Sequence, residues 1–115
     1  MDESCLFCKI VAGTIPATTV YRDSRITAFL DIQPQAPVHV LVIPNEHIAS
    51  TNDLTEDHTE LIGYLLRMVQ VVARGQGVAE SGYRLIVNTG QDAQQSVAHI
   101  HVHILGGRHL GWPPG

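Results

Sequence analysis

Hydrophobic and polar positions along the chain fall into blocks that predict two helices and five strands. Apolar residues recur at helical spacing in residues 3–12 and in residues 55–74. Alternating or β-branched runs predict strands over residues 18–21, 26–31, 38–43, 83–88 and 98–105. Most links between strands are short, and the long helix interrupts them once. We therefore expect an α+β fold, a mostly antiparallel five-stranded sheet with one long and one short helix on one side.

Length and composition narrow the class of protein. The 115 residues suit a single domain over 1–115 that ends in the tail Trp112-Pro113-Pro114-Gly115. The formal net charge is −4 with seven Lys and Arg, so the basic surface that a nucleic-acid backbone requires is lacking. No apolar run approaches the roughly 18 residues of a membrane span. With no signal-like N-terminus and only Cys5 and Cys8 as cysteines, we expect a reducing, cytoplasmic location.

The strongest chemical signal is a run of histidines near the end of the chain, His99-Ile100-His101-Val102-His103-Ile104. In a strand, this alternation places the three imidazoles on one face, with neighbours roughly 7 Å apart, and the apolar side chains on the other. Histidine is not a favoured residue for strand faces, so a solvated edge strand is the weaker explanation.

Two kinds of chemistry fit such a row of imidazoles. Two or three of them can bind zinc, as in a zinc hydrolase. Alternatively, a neutral imidazole can attack phosphorus and leave a phospho-histidine that water cleaves. Neighbouring polar groups favour the second: Gln95 and Ser96 precede the strand, Asn88 ends the adjacent strand, and the loop at Gly90 offers backbone donors. The zinc hydrolase stays open as an alternative.

A set of motifs runs through nearly the whole chain. The main ones are Gln95-Ser96-Val97, the histidine run continued by Leu105-Gly106-Gly107, and the Trp-Pro-Pro-Gly tail. Others are Phe7-x-Lys9-Ile10, Phe29-x-Asp31-Ile32-x-Pro34, Ala36-Pro37-x-His39 and Leu41-Val42-Ile43-Pro44. Together they resemble the histidine triad (HIT) nucleotide-binding proteins, Hint branch. Two positions depart from that pattern: Gln94 stands where the family has glycine, and Ala98 stands where an aromatic residue is frequent.

This resemblance implies a hydrolase that cleaves the P–N bond of purine nucleoside phosphoramidates, conjugates of AMP or GMP with an amine, through a nucleotidyl-histidine intermediate. By position, His101 is the nucleophile, the carbonyl of His99 holds its far ring nitrogen, and His103 contacts the phosphate. His39 lies behind the nucleophile, and Ser96 acts on the phosphate or the leaving group. The resemblance also implies a homodimer whose two sheets join, and no cofactor for catalysis. A nucleotide-binding regulator with negligible turnover is the alternative.

A nucleotide pocket follows from the same resemblance. Besides His101 and His103, its implied residues are Phe7, Ile10, Phe29, Asp31, Ile32, Asn88, Gln95, Ser96 and Trp112. Asp31 binds both ribose hydroxyls, where a carboxylate makes charge-assisted bonds, and Trp112 reaches the site of the partner subunit. The residues by themselves leave simpler roles open. His39 suits a buried structural histidine, Asp31 suits a turn cap, and the apolar residues suit a core.

Cys5-Leu6-Phe7-Cys8 provides half of a zinc site. His47 resembles a position that bacterial-type family members use together with the first triad histidine. The implied set is therefore Cys5, Cys8, His47 and His99, a closed and structural Cys₂His₂ site. Two buried free thiols are the simple alternative. His58 and His109 are expected to be solvated, and no role is assigned to them.

Overall fold

The structure of the protein, a computed structural model, describes residues 4–115. Its helices are α1 (Leu6–Ala12) and α2 (Thr59–Gly75), and its strands are β1 (Thr19–Arg22), β2 (Ile26–Leu30), β3 (Val38–Pro44), β4 (Tyr83–Ile86) and β5 (Val102–Gly106). The strands pair antiparallel in the order β1-β2-β3-β5-β4. The predicted α+β class and five-stranded sheet are confirmed. Residue 3 of the predicted first helix lies outside the described residues.

The two helices pack on opposite faces of this sheet. Alternate residues of the central strand β3 belong to different cores: Val40 and Val42 pack with Leu65 of α2, whereas Leu41 and Ile43 pack in the cluster that contains α1. The expectation that both helices lie on one side is wrong. The reason is that β3 is apolar on both faces, and each face needs its own cover.

The long helix begins with a 3-10 turn, Glu56–His58, that leads into α2. Thr55 is the N-cap and acidic residues fill the first turn, as predicted. His58 accepts the N–H of Thr55 through Nδ1 at 3.0 Å, and its Nε2 lies 3.1 Å from a carboxylate oxygen of Glu46. His58 is therefore a capping residue, not the free solvated side chain expected. Within residues 4–115, no helix is both long and apolar enough to cross a bilayer.

The strand that carries the histidines is shorter than predicted. It begins at Val102, so His99 and His101 precede β5 and only His103 lies within it. The N–H of Ile100 donates to the carbonyl of Ile48 at 2.6 Å, a bond to the segment that follows β3. The prediction of a strand over residues 98–101 is therefore wrong. Tertiary contacts hold this segment instead of a strand ladder.

The Gly106-Gly107 pair has a steric cause. Gly106 lies opposite both Val38 and Tyr83 at the end of β5, and a Cβ there would approach Val78 to 2.9 Å. Gly107 has a φ of +87°, and a Cβ there would lie 2.9 Å from the Pro37 side chain. The pair lets the chain leave the sheet where three strands and two loops crowd together.

Candidate active site

Three histidines and one phenylalanine meet on the α1 face of the sheet. His39 comes from β3 and His103 from β5, and their ring centroids lie 5.2 Å apart. The His101 ring lies 5.0 Å from that of His103, and Phe7 of α1 meets its edge at 5.1 Å. The sequence-predicted His39, His101 and His103 are therefore brought together under α1.

Hydrogen bonding defines the tautomer of His101. Its Nδ1 lies 2.8 Å from the carbonyl oxygen of His99, and because a carbonyl can only accept, Nδ1 carries the proton. In the neutral ring, Nε2 then holds a lone pair. The residue is only 4% exposed. A neutral, oriented imidazole with an unprotonated Nε2 can act as a nucleophile.

A hydrogen-bond chain defines the tautomer of His103 in the opposite sense. The N–H of Gln35 donates to Nδ1 of His39 at 3.0 Å, so neutral His39 carries its proton on Nε2. That Nε2 lies 2.9 Å from Nδ1 of His103 and 3.4 Å from Asp31 Oδ2. His103 therefore accepts through Nδ1 and presents an N–H at Nε2.

The N–H at His103 Nε2 is the one buried side-chain group without a hydrogen-bond partner among residues 4–115. A buried donor left unpaired is destabilising by about 1–3 kcal/mol. A negatively charged ligand atom beside His101 would relieve that penalty. His39 lies against His103, with its Nε2 2.9 Å from His103 Nδ1, and its predicted place behind the nucleophile His101 stays a prediction.

Burial keeps His39 and His103 neutral. Burial, helped by the nearby rings of His101 and His39 and opposed by the Asp31 carboxylate, lowers the pKa of His103 to about 4. Burial also lowers the pKa of His39, although the Asp31 carboxylate acts in the opposite direction. Near pH 7 both rings therefore act through hydrogen bonds and not through a positive charge.

This lowered pKa predicts acid destabilisation of the fold. Between pH 6.5 and about 4 the unfolded chain binds a proton at His103 that the folded chain does not bind, so the free energy of unfolding should fall as pH falls through this window. Urea unfolding of wild type and His103→Gln at half-unit pH steps measures the effect. In the variant, the slope of the unfolding free energy against pH should be smaller by the equivalent of up to about one bound proton. Equal slopes for both proteins would contradict the assignment.

The predicted nucleotide-pocket residues fall into buried and exposed groups. Phe7 and Phe29 are buried and pack edge to face at 5.4 Å, whereas Ile10 is half-buried and Ile32 is 94% exposed. Asp31 follows β2 and accepts the N–H of Gln33 through Oδ1 at 2.8 Å. The turn-capping role of Asp31 is therefore present, while its other oxygen faces His39.

The loop before the histidines keeps a left-handed residue where the resemblance led us to expect glycine. Gln94 has a φ of +60°, and its N–H donates to Gln91 at 2.9 Å. The amide of Gln95 bonds within the molecule, accepting from Gly90 N–H and donating to the carbonyls of Ala49 and Val97. Gln95 thus ties this loop to the segment after β3, and its predicted contact with a nucleotide stays a prediction.

Gln94→Gly should stabilise the protein. A non-glycine residue in the left-handed region is strained by about 1–2 kcal/mol, and the added backbone freedom of glycine offsets part of the gain, so we expect about 0.5–1 kcal/mol. Thermal unfolding measures the change. Gln91→Gly, in the same turn but outside the left-handed region, is the matched control and should lower stability. Loss of stability in both variants would show that Gln94 is unstrained.

For three further predicted residues, Ser96, Asn88 and Trp112, the structure gives the exposure, and their roles at the site stay predictions. Ser96 is exposed in the loop before His99, Asn88 is half-buried beyond the end of β4, and Trp112 is 81% exposed. The Arg84 guanidinium lies 5.7 Å from the Trp112 ring and donates to the Gly111 carbonyl at 2.9 Å. Arg84 thus holds the tail, a role that no sequence pattern indicated.

His99, the first histidine of the triad, turns away from His101 and His103. Its Nδ1 lies 3.3 Å from Cys5 Sγ, 3.5 Å from Cys8 Sγ and 3.3 Å from Nδ1 of His47, and Cys8 Sγ lies 3.2 Å from that same atom of His47. The structure therefore brings together all four residues of the predicted metal set, which we call the Cys₂His₂ cluster.

The donor set of this cluster fits zinc. His99 donates from Nε2 to the Pro44 carbonyl at 2.8 Å, so its Nδ1 is unprotonated and available as a ligand, and burial lowers its pKa. Tetrahedral zinc with bonds of about 2.3 Å to sulfur and about 2.1 Å to nitrogen implies separations of roughly 3.6 Å between a sulfur and a nitrogen ligand and roughly 3.4 Å between two nitrogens. The observed sulfur–nitrogen separations of 3.2, 3.3 and 3.5 Å and the nitrogen–nitrogen separation of 3.3 Å lie close to these values.

The three triad histidines do not form a metal site of their own. Among residues 4–115, His99 belongs to the Cys₂His₂ cluster, while His103 groups with Asp31 and His39. His101 is in neither group, and the polar atoms of the second group already bond to each other. The alternative of a zinc hydrolase with three strand ligands is therefore contradicted.

The fold is an antiparallel α+β sheet whose α1 face holds the oriented imidazole of His101 beside the unpartnered N–H of His103, an arrangement that defines a class of small proteins. Family comparison shows which class this is: the HIT domain model matches residues 12–110. The chain belongs to the HIT family.

Similar proteins cover almost the whole chain. The purine nucleoside phosphoramidase of Escherichia coli (strain K12) is 47% identical over 111 residues, 96% of this chain and 93% of that protein. The 14 kDa zinc-binding protein of Zea mays is 47% identical over 116 residues, 99% of this chain and 90% of that protein. The crystal structure of a HIT family hydrolase from Legionella pneumophila Philadelphia 1 has a TM-score of 0.95 at 51% identity, covering 96% of this chain and 99% of that one.

Proposed function

We propose that the protein hydrolyses the P–N bond of purine nucleoside phosphoramidates through a nucleotidyl intermediate on His101. The observation that carries this proposal is the pair of opposite tautomers: a lone pair at His101 Nε2 stands beside a buried, unpartnered N–H at His103 Nε2. Transfer of a phosphoryl group needs both: the lone pair attacks phosphorus and the N–H stabilises the phosphoryl oxygens. The E. coli relative carries this activity in its name.

In the first step, the lone pair of His101 Nε2 attacks phosphorus and the P–N bond to the amine breaks. The imidazole gains a bond at Nε2 and becomes cationic, and the His99 carbonyl, which accepts its Nδ1–H at 2.8 Å, stabilises that charge. The N–H of His103 donates to a phosphoryl oxygen as negative charge develops. The departing nitrogen needs a proton, and the hydroxyl of exposed Ser96 is the proposed donor.

In the second step, water attacks the same phosphorus and the P–N bond to His101 breaks. The products are the nucleoside monophosphate and the regenerated neutral imidazole, and the proton that water loses restores the Ser96 hydroxyl that gave up its proton in the first step. Because both steps use the same nitrogen and the same His103 donor, the site needs no rearrangement between them.

The remaining contacts place the nucleotide. Asp31 is the proposed ligand of the ribose hydroxyls, with Oδ1 already held by Gln33. Ile10, Phe29 and Ile32 are the proposed walls of the base pocket, with Phe7 nearby, and a bound base would cover the exposed Ile32. Asn88 and Gln95 are assigned to the phosphate side, and Trp112 to the site of a partner subunit.

A homodimer is the proposed assembly. In the five-strand order, β4 is an edge strand, and the apolar residues Leu66 of α2, Leu85 of β4 and Val87, just after β4, are exposed. A cavity of about 400 Å³ between α2 and the sheet is lined in part by Leu66 and Val87. Pairing of two β4 edges would join the sheets and cover this apolar surface.

The Cys₂His₂ cluster is the proposed zinc site, and the Zea mays relative is named as zinc-binding. When bound, zinc there supplies a structural crosslink between α1, the segment after β3 and the segment before β5. None of the steps at His101 is assigned to it.

A trapping experiment tests the proposed function. Full-length protein mixed with an AMP–amine conjugate and quenched in acid within one turnover should carry one AMP on the peptide that contains His101, seen by mass spectrometry. Release of free amine should show a burst before AMP appears. Binding of AMP without label or burst would favour the regulator instead.

A further inference from the structure

The Cys₂His₂ cluster is built into the segment that carries the nucleophile. His99 belongs to both, since its Nδ1 is one of the four cluster atoms while its carbonyl oxygen accepts the proton of His101 Nδ1 at 2.8 Å. The imidazole of His99 is fully buried and held on its other side by Pro44. Fixing that ring therefore restricts the carbonyl that orients His101.

A second link runs through α1. Phe7 stands between Cys5 and Cys8 in the sequence, and its ring meets the edge of His101 at 5.1 Å and of His99 at 6.1 Å. Any shift of the two cysteines would move this ring. The direction of the His101 ring thus depends on where the cluster holds α1.

A third link comes from the segment after β3. His47 offers Nδ1 to the cluster, and the carbonyl of its neighbour Ile48 accepts the N–H of Ile100 at 2.6 Å. Residues 99–101 lie outside β5 and have no strand ladder to position them. All four cluster residues are therefore at, or next to, groups that hold this irregular segment.

We propose that the Cys₂His₂ cluster, when it holds a metal ion, positions the nucleophile by fixing the Nδ1–H tautomer and the ring direction of His101. Cys5, Cys8, His47 and His99 act here as positioning residues, whereas the chemistry stays with His101 and His103. The proposal rests on the proposed function above, because it names what sets the efficiency of that site.

The test compares the full-length protein loaded with Zn²⁺, loaded with the larger Cd²⁺, and stripped with a chelator. The primary readout is the pair of ring-nitrogen NMR signals of His101 in ¹⁵N-histidine-labelled protein, which report which nitrogen holds the proton. We expect a single Nδ1–H tautomer with Zn²⁺, shifted signals with Cd²⁺ and averaged tautomers after stripping. Signals of His109, in the exposed part of the tail, should not move.

Labelling of His101 by an AMP–amine conjugate is the second readout. Stripping should slow this labelling by about tenfold, a loss of the size seen at metal sites when a residue that hydrogen-bonds to a metal ligand is replaced. Cys8→Ser, which removes one ligand at nearly constant size, should behave as the stripped protein does. Val11→Ala is the control: it removes buried methyls from the same core without removing a ligand, and should keep the tautomer.

Identical His101 signals in all three forms would overturn the proposal even if the labelling rate changes. If the stripped protein unfolds, the comparison of Zn²⁺ and Cd²⁺ forms decides, and equal His101 signals there overturn the proposal as well. Absence of label in the zinc-loaded wild type is a different result, since it counts against the proposed function and leaves the tautomer measurement intact.

Discussion

His101→Gly should lower turnover of an AMP–amine conjugate by about 10⁴-fold or more, because removal of a covalent nucleophile leaves only binding and electrostatic stabilisation. The variant removes the ring whose Nδ1–H donates to the His99 carbonyl, and with it the lone pair at Nε2. The buried space it creates beside Phe7 should also accept free imidazole, so added imidazole should restore part of the activity. Steady-state kinetics with and without imidazole measure both effects.

The control for this variant is His109→Gly, which removes a histidine from the exposed part of the tail. It should turn over at the wild-type rate. Circular dichroism of both variants checks that the fold is kept. Undiminished turnover by a folded His101→Gly protein would remove His101 from the mechanism.

His103→Leu should lower kcat by about 10²–10³-fold, as expected for loss of one preorganised donor to a developing phosphoryl charge. His103→Gln keeps an N–H near the same position and should retain more activity than the leucine variant. The side chain acts as a neutral donor, because burial holds its pKa at about 4, so both substitutions preserve the charge of the site.

The kinetic parameters separate this role from simple binding. A donor that strengthens in the transition state should affect kcat more than the affinity for AMP, which equilibrium titration measures. Equal kcat for the leucine and glutamine variants would show that the N–H of His103 is not used. A matched fall in AMP affinity would instead assign it to ground-state binding.

Much of the architecture was accessible from the sequence because local patterns agree with tertiary structure. The β-branched run in β3 and the apolar spacing in α2 predicted the right elements, and Thr55 was correctly identified as a cap. The arrangement of the helices about the sheet was not predicted, because a strand that is apolar on both faces indicates that each face is covered but not which element covers it.

The residues of the candidate site were likewise predictable from the sequence only in part. The sequence placed His39, His101 and His103 at one site and, by resemblance, grouped Cys5, Cys8 and His47 with His99, and the structure brings both sets together. It could not show that His39 supports His103, because that contact depends on the register between β3 and β5. Nor could it show that His99 and His101 precede β5, in a segment where a backbone bond to Ile48 takes the place of the strand's hydrogen-bond ladder.

The start of β5 at Val102 has an evolutionary consequence. In the proposed mechanism the nucleophile His101 precedes the hydrogen-bonded strand, while the donor His103 is held within it. Selection can therefore retune the reactive imidazole by altering its supports, without disturbing the sheet on which the fold depends. A scaffold divided in this way can acquire new leaving-group preferences through changes too small to threaten folding.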